Sequence, residues 1–288
     1  MKNKLYTALC AVALLGFSAC GDDDGSGGGD PTPNPNAVAI PTAGATSPES
    51  RPGMTLIWRD EFDGTALDAS TWTHETGTGT NGWGNFEEQY YRPENTMLQD
   101  GHLVITAKEE SFGGSEYTSS RIVTQNNFDF RYGRVDIRAA IPEGQGLWPA
   151  LWMLGSNFSS VGWPACGEID IMEKVGGVSR ENTIHGTVHW QNAGQPANFG
   201  GDIDLSTNTT QNFHVYSITW NASEIRWFVD DTEYHVISTT PAELDEFRRS
   251  FFFIFNVAVG GTWPGSPNAT TSFPQHMIVD YVRVFQEN

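Results

Sequence analysis

The sequence predicts an all-β fold, a sandwich of two antiparallel sheets. Short stretches that alternate apolar with polar side chains recur along the chain, as half-buried strands do. Glycine, proline and aromatic residues are plentiful, with 31 Gly, 15 Pro and 17 Phe, and only one segment carries helix-start signals. The 288 residues suit one large β domain, since single β sandwiches commonly reach about 200–250 residues.

The elements follow in order. Residues 56–58 open the domain, and 102–107 follow a turn at Asp100-Gly101. Across 130–141, Tyr132, Arg134, Asp136 and Arg138 alternate with Val135, Ile137 and Ala139. Further strands are expected over 147–154, 168–173 and 182–190. Residues 213–220 and 224–230 form a hairpin around Asn221-Ala222-Ser223. The run 251–257 is nearly all apolar, as a strand buried on both faces would be, and 278–285 closes the domain. Thr240 reads as an N-cap, Pro241 as the first helical residue and Glu243 as a capping-box acid, predicting one short helix through about Arg249. There is no internal repeat and no second domain.

The N-terminus has its own pattern. Lys2 and Lys4 precede an apolar stretch too short for a comfortable membrane span, so residues 1–19 read as an export signal. The stretch ends in Leu15-Gly16-Phe17-Ser18-Ala19-Cys20, which resembles a lipoprotein processing site with Cys20 as the lipidated residue. The acidic run Asp22-Asp23-Asp24 resembles a surface-export signal of Bacteroidetes lipoproteins. The expected location is the cell surface of the outer membrane, with a secreted or periplasmic form as the alternative. Residues 20–53, rich in Gly, Asp, Pro, Ser and Thr, are expected to be a flexible tether before a domain over 54–288. With Cys10 in the signal and Cys20 lipidated, Cys166 has no disulfide partner and reads as a small packing residue.

The chemistry concentrates in Glu168-Ile169-Asp170-Ile171-Met172-Glu173. Residues two apart in a strand share a face, so Glu168 and Asp170 point together while Glu173 would point away. A one-residue bulge, with Ile171 and Met172 together opposing one partner residue, returns Glu173 to the side of the other acids. Two carboxylic acids flanking a bond are the minimal equipment for cleaving a glycosidic linkage. Asp170 between them can bias which one ionises. The formal charge of −19 argues against a nucleic-acid partner and disfavours a strongly anionic polymer.

The acid run resembles the signature of family 16 glycoside hydrolases. Gly146 to Leu154, Trp163-Pro164-Ala165-Cys166-Gly167, His185-Gly186-Thr187-Val188-His189, Asn256 to Gly265 and Val279 to Val284 are similar to the corresponding blocks of bacterial laminarinases, which are endo-1,3-β-glucanases. The resemblance implies a curved β-jelly roll with a concave cleft for a polymer chain. It implies Glu168 as nucleophile, Glu173 as acid/base, Asp170 as assisting acid, and retention of configuration. The substrate it implies is 1,3-β-glucan of the laminarin type, with mixed 1,3-1,4-linked glucan as a further substrate, and no cofactor for catalysis.

Trp148 and Trp163 are expected to line the cleft and Trp152 to join the core. Asn85 and Glu88 lie in a loop that resembles one giving polar contacts in laminarinases, although Phe86 departs from the usual asparagine. Arg121 could fork onto sugar hydroxyls or form an exposed ion pair. His189 holds a family position near the acid/base, and Asn256 and Trp263 are expected at the other end of the cleft. The family's common convex-side calcium site would correspond to Glu61, the Gly101 carbonyl and Asp280, a donor set of the hard oxygen type. A monomer is expected, touching membrane only through the lipid. The competing readings are a surface glycan-binding protein without turnover and a galactan hydrolase of the agarase or carrageenase type.

Overall fold

The computed structural model describes residues 37–177 and 180–288; the expected signal peptide and Cys20 lie outside the described residues. In chain order the strands are β1 (Ala43–Gly44), β2 (Met54–Asp60), β3 (Thr73–Glu75), β4 (Gln89–Tyr91), β5 (Thr96–Gln99) and β6 (His102–Phe112). Next come β7 (Ser115–Ser119), β8 (Arg121–Val123), β9 (Gly133–Ala140), β10 (Leu147–Gly155), β11 (Glu168–Glu173) and β12 (Thr183–Asn192). The last are β13 (Gln195–Asp204), β14 (Asn212–Trp220), β15 (Glu224–Val229), β16 (Thr232–Ser238), β17 (Phe251–Val259) and β18 (Gln275–Glu287).

They form two sheets. One holds seven strands in the order β13-β12-β11-β10-β17-β8-β3. The other holds eleven, with β16-β15-β14-β9-β18-β6-β7-β4 as its main path. Nearly all pairings are antiparallel, as expected; β1 with β14 and β4 with β7 are short parallel exceptions.

The core lies between the sheets. Ile169, Ile171 and Met172 of β11 meet Val135 and Ile137 of β9 and Trp227 of β15 in one continuous apolar cluster. Strand β17 is buried on both faces, as its composition predicts. Phe251, Phe253, Phe255, Val257 and Val259 enter the main core, while Phe252 and Ile254 join a smaller cluster with Val123, Leu154 and Cys166. Burial pushes the Cys166 thiol up to about 11, so it stays protonated and packs as a small apolar group.

Three expectations need correction. The helix is a 3-10 segment over Ala242–Arg248, and Pro241, not Thr240, stands at its N-cap with no side-chain cap bond. Strands β1, β3, β4, β5, β7, β8, β13 and β16 are not among the expected elements; most are short, and β13 is a sheet edge with two Gly and mostly exposed positions, where alternation is weak. The tether expected over 20–53 docks on the eleven-stranded sheet from Val38 onward. Val38 and Ile40, the apolar residues of a polar stretch, pack against Val104, Phe213 and Ile278. Gly44, at φ 125°, comes so close to Phe213 that a Cβ would overlap its backbone. The Ser47 amide donates to the Tyr281 hydroxyl at 2.6 Å, and Arg51 Nη2 donates to Asp136 at 2.7 Å.

Candidate active site

The bulge forms where the spacing of the acids requires it. Across to β12, Asp170 pairs with Thr187 and Glu173 with His185, so Ile171 and Met172 together oppose Gly186. Across to β10 the register slips between Leu151 and Trp152, which face Met172 and Asp170. Both bulge residues enter the core. Glu168, Asp170 and Glu173 therefore share the outer face of the seven-stranded sheet.

That face is dry around the acids. Asp170 is 2% exposed and Glu173 8%. Burial, the largest cause, pushes Glu173 up to about 8, with the Asp170 charge adding and the Trp148 hydrogen bond opposing. Burial likewise drives Glu168 and Asp170 well above the usual carboxylate range; the Asp170 and Glu173 charges lift Glu168 further, and His189 counters them. Asp170 Oδ2 accepts no hydrogen bond from the described residues.

His189 is placed differently from its expected role. It sits opposite Glu168 in register, with Nε2 3.5 Å from Glu168 Oε1 and 3.3 Å from Asp170 Oδ2. Ligating atoms of Glu168, Asp170 and His189 all lie within 4.8 Å of one another. The histidine level with Glu173 is His185. Its ring meets the edge of Trp263 at 5.0 Å between centroids.

The tryptophans divide along the acid row. Trp148 donates its indole N–H to Glu173 Oε1 at 2.9 Å and meets Trp263 edge-on at 5.5 Å. Trp263 is 37% and Trp163 48% exposed; Trp163 lies 6.2 Å from the His189 ring, toward the Glu168 end. Trp152 is not a member of the main core. It lies on the acid face, half-buried, and donates to Asn256 Oδ1 at 2.7 Å. Alternation from Trp148 through Ala150 would have placed it there.

Asn256 and Arg121 form the floor, not the rim. Asn256 is 5% exposed, and its amide donates to the Tyr91 hydroxyl at 3.1 Å. Arg121 is neither a free fork nor an exposed ion pair. It is sandwiched between Trp83 and Trp152, 4.7 and 4.9 Å from their ring centroids, and donates to Glu75. Asn85 sits half-buried in the Gly82–Phe86 turn. Its side-chain amide donates to Glu87 at 3.2 Å and its backbone carbonyl accepts from the Thr262 backbone N–H at 2.9 Å, bracing the Trp263 loop. Glu88 accepts from Ser266 on that loop, while Phe86 stands 67% exposed. Trp83, Tyr91, Glu75 and His185 were not singled out from sequence, because their roles arise from cross-strand neighbours.

The convex-side trio expected for calcium does not fit that ion. Both Glu61 oxygens accept from Arg283 at 2.7 Å. Asp280 accepts from Arg138 at 2.6 Å and faces His102 Nε2 at 3.4 Å. Cations already answer both carboxylates, so a dication would have to displace them.

Two measurements probe the electrostatics. Between about 4.5 and about 8 the folded chain keeps a proton on Glu173 that the unfolded chain releases, so stability falls as pH rises through that window. Asp170, also held above its ordinary value, acts in the same direction. Asp170→Asn is therefore expected to raise Tm at pH 8 by roughly 2–4 °C while lowering turnover. The gain should vanish near pH 4, and a lower Tm at pH 8 would contradict this account. Trp148→Phe removes a donor that favours the Glu173 carboxylate. The basic limb of the kcat profile is expected to move to higher pH; no movement, or movement to lower pH, would contradict it.

Comparison with known proteins adds to this geometry. A model described as "Glycosyl hydrolases family 16" matches residues 83–283. The "Beta-glucanase" of Rhodothermus marinus is 42% identical over 259 residues, covering 84% of this chain and 89% of that protein. The "Clotting factor G alpha subunit" of Tachypleus tridentatus is 40% identical over 239 residues and 82% of this chain. The chain spans only 34% of that relative's length. The endo-1,3-beta-glucanase (laminarinase) catalytic domain from Thermotoga petrophila RKU-1 superposes with a TM-score of 0.76 at 43% identity, covering 82% of this chain and 98% of that one.

Proposed function

Because the chain belongs to glycosyl hydrolase family 16, we propose that it is a retaining endo-hydrolase of 1,3-β-glucan, acting on laminarin-type chains and on mixed 1,3-1,4-linked glucan. The observation that carries this reading is the bulge, which sets Glu168, Asp170 and Glu173 on one dry face. At neutral pH Glu173, held near 8, carries the proton that a leaving oxygen needs. Glu168 and Asp170 titrate as a pair. Glu168 attacks as the carboxylate, the form that His189 alongside it favours.

In the first step the Glu168 carboxylate forms a bond to the anomeric carbon as the glycosidic C–O bond breaks. Glu173 gives its proton to the departing oxygen. In the second, Glu173 takes a proton from water, the water oxygen attacks the anomeric carbon, and the bond to Glu168 breaks. Two inversions restore the starting configuration. Trp148, Trp263 and Trp163 offer aromatic faces that suit the apolar faces of glucose rings.

The test is incubation with laminarin, following reducing ends and the anomer first formed by proton NMR. New internal cuts with the β-anomer appearing first are expected. Binding without new ends would support a capture protein, and activity on agarose alone a galactan hydrolase. For residues 1–20 we propose export and lipidation at Cys20. Labelled palmitate should enter the wild-type chain in cells and not Cys20→Ser; equal labelling would reject the anchor.

A further inference from the structure

Sheet bulges leave backbone groups without their ladder partners, so something else must hold them. Here the holder comes from the opposite sheet. Trp227 of β15, 0% exposed, donates its indole N–H to the Asp170 carbonyl at 2.8 Å, where the chain enters the bulge. Gly186, the residue that Ile171 and Met172 jointly oppose, makes room for this approach. A Cβ on Gly186 would fall 2.5 Å from Trp227 Cδ1 and 2.5 Å from the Tyr234 hydroxyl.

Tyr234 is itself a bulge residue. Trp227 pairs with His235 and Phe228 with Glu233, which leaves Tyr234 as the extra residue on β16. Its hydroxyl has no hydrogen-bond partner among the described residues. Two bulges, one in each sheet, thus meet across one glycine.

We propose that Trp227 and Gly186 are positioning residues that fix the catalytic bulge from behind and thereby hold Glu173 in its dry, proton-bearing position. This rests on the hydrolase reading above and adds to it a cross-sheet clamp. The charged and titratable groups around Glu173 are Glu168 and Asp170 on its own strand, His185 and His189 on β12, Asp202 beyond His185 on β13, and Tyr234 on β16. None belongs to Trp227 or Gly186, so changing those two residues alters the position of Glu173 without removing a titrating neighbour.

Trp227→Phe keeps an aromatic ring and deletes the N–H. It is expected to lower kcat on laminarin roughly 10–100-fold, the scale of an angstrom-sized misplacement, with KM within about threefold if the glucan-binding face keeps its shape. As water reaches Glu173, the basic limb of the kcat profile should move from near 8 toward lower pH. Gly186→Ala, which adds one methyl group against Trp227, should do the same and serves if Trp227→Phe does not fold. Tyr234→Phe deletes only an unpartnered hydroxyl and should leave the limb in place.

A merely structural role would lower Tm and leave kcat and the limb of the folded fraction unchanged, and that result overturns the clamp. So does a limb that moves as far in Tyr234→Phe as in Trp227→Phe. Glu173→Gln run alongside separates the two levels. Wild-type turnover in that variant would remove the hydrolase reading itself, whereas its loss together with an unmoved Trp227→Phe profile would remove only the clamp.

Discussion

Glu168→Ala is expected to lower kcat on laminarin by about 10⁴- to 10⁶-fold, the scale of losing a nucleophile from a catalytic unit. The fold should survive. Glu168 is the most exposed of the three acids, with 16% of its side chain accessible, and its neighbours are the Asp170 carboxyl and the His189 ring. Removing it also takes away a carboxyl whose charged form is disfavoured by burial and by the Asp170 charge, so Tm at neutral pH should hold or rise. The space left by the carboxyl faces His189. Azide or formate should enter it, attack in place of the carboxylate and restore part of the rate. The azide product would be an α-glycosyl azide, formed by a single inversion. Near wild-type turnover in Glu168→Ala would assign the nucleophile elsewhere, and rescue yielding a β-azide would contradict the stereochemistry of the proposed attack.

Glu173→Ala is expected to cost about 10²- to 10⁴-fold on laminarin, the usual range for a lost general acid. The loss should be selective. A sugar leaving group needs the proton, whereas a dinitrophenolate leaves without it, so the first step on an activated aryl glucoside should be nearly unaffected. The same variant should lose the basic limb that Glu173, at about 8, gives to the wild-type profile. The direction follows from the raised value: turnover needs the protonated form, which persists to about 8 and disappears above it. Equal losses on both substrates, or a basic limb that stays, would argue that another group donates the proton.

The motif and its local geometry were legible in the sequence because they depend on neighbours along the chain. Alternation put Glu168 and Asp170 on one face, and the extra residue before Glu173 required the bulge that occurs at Ile171 and Met172. The strand at 168–173 and the doubly buried run at 251–257 follow from the same local rules. Trp152 could have been placed by that alternation too; reading its apolar surroundings as core obscured it.

Long-range pairing decided the rest. His189 faces Glu168 and Asp170 instead of Glu173 because the register of β12 against β11 sets it there, and a register one pair along would have placed another residue beside the acids. Arg121 between Trp83 and Trp152, and Asn256 between Trp152 and Tyr91, take partners tens of residues or more away. Glu61 and Asp280 meet arginines of the eleven-stranded sheet, which no spacing in the chain foretells. Trp227 reaches the catalytic bulge from the other sheet altogether. The sequence by itself determined the chemistry and which face of its strand bears it, since side-chain direction is a two-residue property. Only the tertiary structure decided what stands beside, beneath and behind the acids, because those contacts exist only once the two sheets have paired and packed.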